Sequence, residues 1–405
     1  MPAKRRIGFN ARYLRDDKLR GFNRYTLCLL TELQNRGEFD LVLFTDQRSP
    51  IHPAFAEVIR AEIVTIASPK ALIWEQLALP VACRRHHIDL FHAPADGGLP
   101  AWRVCPYVLT YHRALDMSLA HSVTTGDLPG RVSDYFPRWD KLRGRYHRYR
   151  HGLLRSIYLR AADKIIAVSH YGKWELVELL GVAEEKVEVI YEAADEQFSP
   201  DIGERTVRQV QAKYGLPDAY LLFVGSFDPW KNVDGLLLAF AEAKKAGVRE
   251  GLVLAGIGGD LRGARRLAQT LELRDGWDVV FLEGIGEDLP VLYQGATAFI
   301  TLSWGESFGL PLVEAMCCGT PVIASNRGAI PEVLADGGVS VDPRNGVEVV
   351  QAIKAVTSQR EHHARLRAKA LKRAKDFSWH KTAEQTATLY QKVLADATRS
   401  WARSQ

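Results

Sequence analysis

Long apolar runs are missing from this chain. No stretch of its 405 residues approaches the roughly 20 that a bilayer-spanning helix needs, so no segment is expected to cross a membrane. The opening Met1-Pro-Ala-Lys-Arg-Arg-Ile7-Gly-Phe9 is basic but runs straight into a short strand pattern. It has neither the apolar core nor the cleavage site of a secretory signal. Cysteine is scarce: the five (Cys28, Cys83, Cys105, Cys317, Cys318) show no Cys-x-x-Cys or Cys/His ligand spacing. That argues against a disulfide framework and a thiolate zinc site, and points to reduced core thiols in a cytoplasmic protein. No paired-aspartate metal motif stands out. The surplus of positive charge is only +5, and aromatic and basic residues do not interleave through the chain as a whole, so nucleic acid is not an expected partner.

What remains is an ordinary globular composition, 47% hydrophobic and 25% charged, long enough for two domains. One stretch organises it: Thr301-Leu-Ser-Trp-Gly-Glu306-Ser307-Phe308-Gly309-Leu310-Pro311-Leu-Val-Glu314-Ala-Met-Cys-Cys-Gly319-Thr-Pro-Val-Ile323. Ala298–Leu302 reads as a strand buried on both faces. A loop with Glu306 and Gly309 follows, and Pro311 suits the first helical position. Glu314 is therefore expected in the first helical turn. The amino end of such a helix offers N–H groups, those of Phe308, Gly309 and Leu310, to an anion such as a diphosphate. Gly309 lets the backbone approach it closely. Carboxylates on either side, Glu306 and Glu314, are suited to accept hydrogen bonds from sugar hydroxyls. The plainer reading is a capped helix with solvated glutamates, but two glutamates with seven residues between them bracket this turn.

The string Glu306-x7-Glu314 around Phe-Gly-Leu-Pro, followed by Glu-Ala-Met-x-x-Gly-Thr-Pro-Val-Ile, resembles the signature of glycosyltransferase family 4. The likeness continues through Gly328-Ala-Ile-Pro331-Glu332 and Asp336-Gly-Gly-Val-Ser-Val-Asp342-Pro. It implies an α/β protein with the GT-B fold, two facing Rossmann-like domains around a cleft. It also implies a retaining enzyme that uses a nucleotide-diphosphate sugar, on a uridine or guanosine base. Lys231, after the strand Tyr220–Val224 and Gly225-Ser-Phe-Asp-Pro-Trp, resembles the family's phosphate-binding lysine. A charge there stabilises the leaving diphosphate as the sugar bond breaks. Relatives often have an arginine where this chain has Ser226. His112, at a strand end, matches a cleft histidine usually written His-Asp; here the text is His112-Arg-Ala-Leu-Asp116. The resemblance therefore implies catalytic roles for Glu306, His112 and Lys231. It implies donor contacts from Glu314, Ser307, Phe308, Gly309 and Leu310, from Gly225 and the Gly284 loop, and from Gly21 in the amino-terminal loop. No cofactor and no metal are implied, since Lys231 and helix N–H groups supply the positive field.

Strand and helix patterns alternate throughout, which fits parallel sheets. The expected division is an acceptor domain over 1–199, a donor domain over 200–377 and a final helix over 378–405 that crosses back to the first. His92, at another strand end, reads as structural. Glu192-Ala-Ala-Asp195 stands where the family writes Asn-Gly-Val-Asp. In Arg138–Arg160 eight Lys or Arg accompany one Asp, with Trp139, Tyr146, Tyr149 and Tyr158 between them. Such a stretch suits a solvated helix face or an anionic membrane surface. The expected function is sugar transfer to a glycan or lipid-linked acceptor of surface polysaccharide assembly, with peripheral attachment at the inner face of the cytoplasmic membrane. The alternatives are an epimerase or phosphorylase on the same fold, or a catalytically silent membrane-associated scaffold.

Overall fold

The computed structural model describes residues 4–15, 21–48, 50–68, 70–112, 115–128 and 142–403. Short runs rich in Val, Ile, Leu and Phe form two all-parallel sheets, each in its own compact unit. The first sheet comprises β1 (Arg5–Asn10), β2 (Phe39–Asp46), β3 (Glu62–Ile66), β4 (Leu90–Ala93), β5 (Tyr107–Tyr111), β6 (Lys164–Ala167) and β7 (Val187–Val189). Their order is β3-β2-β1-β4-β5-β6-β7. The second comprises β8 (Tyr220–Val224), β9 (Gly251–Ala255), β10 (Val279–Leu282), β11 (Ala298–Thr301), β12 (Val322–Ser325) and β13 (Val339–Val341), ordered β10-β9-β8-β11-β12-β13. Both are the doubly wound arrangement of a Rossmann-like unit.

In each sheet the central strands are buried on both faces, which is why their sequences run apolar instead of alternating. Ile7 on β1 sits opposite Leu41 and Leu90, and Ala298 on β11 opposite Leu221. The strand order reverses between β1 and β4, and again between β8 and β11. Loops leaving the carboxyl ends of neighbouring strands there diverge to opposite faces and leave a crevice, the usual ligand position in such sheets.

The units are not contiguous in sequence. The first contains residues 139–192 as well as the amino-terminal strands, and also the helix Trp379–Arg403. That helix lies against Phe22–Arg36, and its Tyr390 meets the rings of Phe9 and Phe39. Two stretches expected in the first domain belong to the second unit. Residues 193–199 do so because Phe198 packs on Tyr293, with ring centroids 5.8 Å apart. The helix Leu115–Thr124 does so because Leu119 and Leu128 are buried with Trp230 and Trp304. Among the described residues no helix is long and apolar enough to cross a membrane. Of the basic stretch, residues 138–141 lie outside the described set; from Leu142 to Ala161 the backbone is helical.

Candidate functional site

In the second unit Lys231 and Glu306 meet at the β8/β11 switch point. After β8 the chain makes a single tight turn, Pro229–Lys231, then takes a left-handed conformation at Asn232, with φ +54°. Asn232 Nδ2 donates to the Leu302 carbonyl at 3.1 Å, tying this loop to the one that follows β11. The Trp304 N–H donates to the Trp230 carbonyl at 2.8 Å and completes the tie. The result is an ion pair: Lys231 Nζ lies 2.5 Å from Glu306 Oε1, with the two side chains only 11% and 15% exposed. Ser303 Oγ donates to the same carboxylate oxygen at 2.9 Å. The ammonium also sits 4.2 Å from the ring centroid of Trp230, a cation–π contact.

Gly328 sets the position of Glu306 from behind. Its φ is +60°, and a Cβ there would stand 2.7 Å from both N and O of Glu306. The adjoining Ala329 N–H donates to the Glu306 carbonyl at 2.9 Å. No side chain other than hydrogen fits without displacing the loop.

The helix after this loop runs Leu310–Cys317, with Gly309 at its amino end in a left-handed conformation, φ +99°. In its first turn Leu312 and Val313 already donate to the Gly309 carbonyl, at 2.8 and 3.4 Å, and Pro311 has no N–H, so the N–H of Leu310 is the one in that turn without an intrahelical acceptor. Phe308 is buried and meets Phe377 edge-on at 5.6 Å, so its side chain anchors the loop. Ser307 and Leu310 are half-buried. The expectation for Glu314 needs correction. With helical geometry starting at Leu310 instead of Pro311, Glu314 is the fifth helical residue and lies in the second turn. It is 2% exposed and accepts a hydrogen bond from Tyr293 Oη at 2.9 Å. Gly225 directly follows β8, its N–H donating to the Ala255 carbonyl at 3.0 Å, whereas Gly284 lies in the exposed loop after β10 with φ +70°.

The remaining predicted residues, Gly21 and His112, belong to the first unit. Gly21 is exposed, with φ +43°, directly before the helix Phe22–Arg36. His112 follows β5 and is buried. Its Nδ1 lies 2.7 Å from Glu192 Oε1 and its Nε2 3.0 Å from the Pro94 carbonyl oxygen. Its backbone N–H donates to Asp96 Oδ1 at 2.6 Å. Burial alone would discharge the ring. The hydrogen bond and charge of Glu192, helped by Asp96 and the Pro94 carbonyl, outweigh it and hold the pKa above the ordinary histidine value. With acceptors at both nitrogens the protonated ring is favoured, and holding that proton lessens the ring's capacity for base chemistry. His92 is its opposite. Its Nδ1 meets Tyr390 Oη at 2.5 Å and its Nε2 meets Thr110 Oγ1 at 2.8 Å. Complete burial, together with the nearby His112, pushes its pKa down to about 3.

Sequence reading missed Glu192, Asp96, Ser303 and Tyr293. A signal existed only for Glu192, which stands where a glycine turn is usual. It supplies the carboxylate that the text following His112 does not. Among the described residues no cluster of three or more His, Cys, Asp or Glu is arranged to hold a metal ion.

Residues 207–373 match the model of the glycosyl transferases group 1, and residues 19–198 match that of Glycosyltransferase Family 4. The chain belongs to glycosyltransferase family 4. Among curated relatives, it is 33% identical to the O-antigen chain mannosyltransferase B of Escherichia coli over 241 residues, 57% of this chain and 61% of that protein. It is also 33% identical to D-inositol 3-phosphate glycosyltransferase 2 of Catenulispora acidiphila over 251 residues, 58% and 57% of the two chains. The family 4 chain thus spans about three fifths of the length of these relatives. Among solved structures, Anabaena HepE in complex with UDP and glucose superposes with a TM-score of 0.71 at 17% identity, over 96% of this chain and 100% of that one. That likeness places this family 4 member in the GT-B fold class.

Proposed function

We propose that this chain transfers a sugar, with retention, from a GDP- or UDP-sugar to a glycan or lipid-linked acceptor in the assembly of a surface polysaccharide. The observation that carries this reading is the part-buried Lys231–Glu306 pair in the loop that leads to the amino end of the helix Leu310–Cys317. It combines a cation for a leaving diphosphate with a carboxylate for sugar hydroxyls. The second unit would bind the donor and the first the acceptor. A covalent route would require a free carboxylate nucleophile. Glu306 Oε1 already accepts from Lys231 and Ser303, which lowers its nucleophilicity and supports attack from the face the leaving group departs from. In that route the sugar–phosphate bond breaks as the acceptor oxygen bonds to the sugar, and the departing phosphate takes the acceptor's proton.

A screen of nucleotide sugars, GDP-mannose first because of the mannosyltransferase relative, tests the reading by mass spectrometry of slow donor hydrolysis. Absence of hydrolysis and of transfer with every donor would remove it. Glu314→Gln is expected to weaken nucleoside diphosphate binding about 10-fold or more, since a buried charge-assisted acceptor of ribose hydroxyls is lost. Unchanged affinity by isothermal titration in a folded variant would exclude Glu314 from the nucleotide site.

The place of action follows from the Arg138–Arg160 sequence, rich in arginine and aromatics. It supports peripheral attachment at the inner face of the cytoplasmic membrane. Each basic residue contributes about 1 kcal/mol near an anionic surface. Sedimentation should therefore show binding to anionic vesicles that fades with salt. Equal binding to neutral vesicles at low salt would leave the stretch a solvated face.

A further inference from the structure

The carboxyl end of the first sheet carries a cation that the donor chemistry does not use. Arg12 stands two residues past β1, at the β1/β4 switch point. Its guanidinium lies over the ring of Trp74, with Cζ 4.8 Å from the centroid. Trp74 is fully buried, and its Nε1 donates to the Thr45 carbonyl at 3.3 Å, so the platform is fixed. It opens a widened helical turn, Trp74–Ala78, in which the Leu79 N–H reaches back to the Trp74 carbonyl. Turns of this kind are frequent at functional sites. Here the turn brings Trp74 and Glu75 inward together.

Among the described residues no carboxylate pairs with Arg12, and its Nε is shut off from solvent with no acceptor. The acids at this end of the sheet have other donors. Glu75 accepts from Tyr158 Oη at 2.7 Å and from Gln76 Nε2 at 2.9 Å, and Asp96 accepts the His112 N–H. A buried N–H of a charged group without an acceptor is unfavourable. The end of β1 is itself held close to the loop after β4: Asn10 Nδ2 donates to the Gly98 carbonyl at 3.2 Å, and at Gly98, with φ +93°, a Cβ would stand 2.3 Å from that nitrogen.

We propose that Arg12 is the anion-recognising residue of an acceptor subsite, and that it takes a phosphate monoester or diphosphate group carried by the acceptor. The proposal rests on the transferase reading for the word acceptor, but not for the anion. A guanidinium held flat on an aromatic ring presents its donors as a planar fork that fits phosphate oxygens in pairs, which an ammonium does not. A sugar phosphate and a polyprenyl diphosphate share this chemistry.

The test is phosphorus-31 NMR titration of the full chain with methyl phosphate, in the presence of excess UDP and GDP to fill the nucleotide site. The wild type should bind the probe, Arg12→Gln about 10-fold more weakly or worse, and Arg12→Lys in between. Equal binding by wild type and Arg12→Gln, or no binding by the wild type, overturns the proposal. Glucose 6-phosphate and geranyl diphosphate are then used as competitors for the Arg12-dependent signal. Displacement by the first identifies a soluble sugar phosphate, and displacement by the second a lipid diphosphate. Displacement by neither also overturns it. Failure of the transferase reading would appear separately, as absent donor hydrolysis in a wild type that still binds methyl phosphate.

Discussion

Lys231→Ala is expected to reduce turnover by about two to three orders of magnitude, the usual effect of removing a charge aimed at a developing anion. The structure adds a stability consequence. Lys231 and Glu306 are paired at 2.5 Å in a largely buried setting, so removing the lysine strands a carboxylate. Breaking such a pair from one side destabilises by up to about 3–5 kcal/mol, and the residual exposure of this pair favours the lower part of that range. Glu306→Gln should cost less stability, because the amide oxygen still accepts from Lys231 and Ser303. Its defect should appear in steps that involve the sugar, with binding of the bare nucleotide preserved. The double variant should then be more stable than the sum of the singles predicts. Chemical denaturation and single-turnover kinetics on the four proteins decide the matter. Strict additivity, or wild-type turnover in Lys231→Ala, would show that the pair has no part in either role.

The second large effect concerns Glu192→Gln. The carboxylate at 2.7 Å from His112 Nδ1 is the principal reason that the ring carries its proton above the ordinary histidine pKa. A raised folded-state pKa means that the pair's contribution is complete below the unfolded value of about 6.5. It is lost as pH rises through the folded value. Stability of the wild type should therefore decline across that window, and the decline should be shallower in Glu192→Gln. The variant should be weaker than the wild type chiefly at low pH, where an imidazolium remains buried without its counter-charge. Denaturation midpoints at pH 6 and pH 9, with a nitrogen-15 titration of the imidazole, measure this. Parallel pH profiles in the two proteins would show that Glu192 does not control the ring.

The parts of the molecule legible in sequence were those set by local chemistry. Runs such as Leu252–Ala255 and Ala298–Thr301 declare strands buried on both faces, and the glycine and proline around Leu310 declare a loop entering a helix. Likeness to a family marked Lys231, Glu306 and His112, but only folding shows what each touches. Glu192 lies 80 residues from His112, and Lys231 lies 75 from Glu306. No local pattern encodes such pairings. The turn of Glu314 was misplaced because Leu310 is already helical ahead of the proline. Residues 115–124 fall within the expected first domain by their position in the sequence alone, whereas the packing of Leu119 with Trp230 and Trp304 holds their helix in the second unit.

The bond between His92 and Tyr390 joins residues 298 positions apart. A ribosome that has released all the strands of the first sheet must still make residues 193–377, most of the second unit, before Tyr390 exists. During that interval His92 has no phenol against its Nδ1, and the face that Trp379–Arg403 will cover, around Phe9 and Phe39, is exposed. Units usually fold in the order they emerge. Here the one made first can only finish last, by closing a loop that spans most of the chain, a slow step for entropic reasons. The helix Trp379–Arg403 is thus a quality check on synthesis: a nascent chain arrested anywhere before it leaves an open apolar face that chaperones and proteases can recognise.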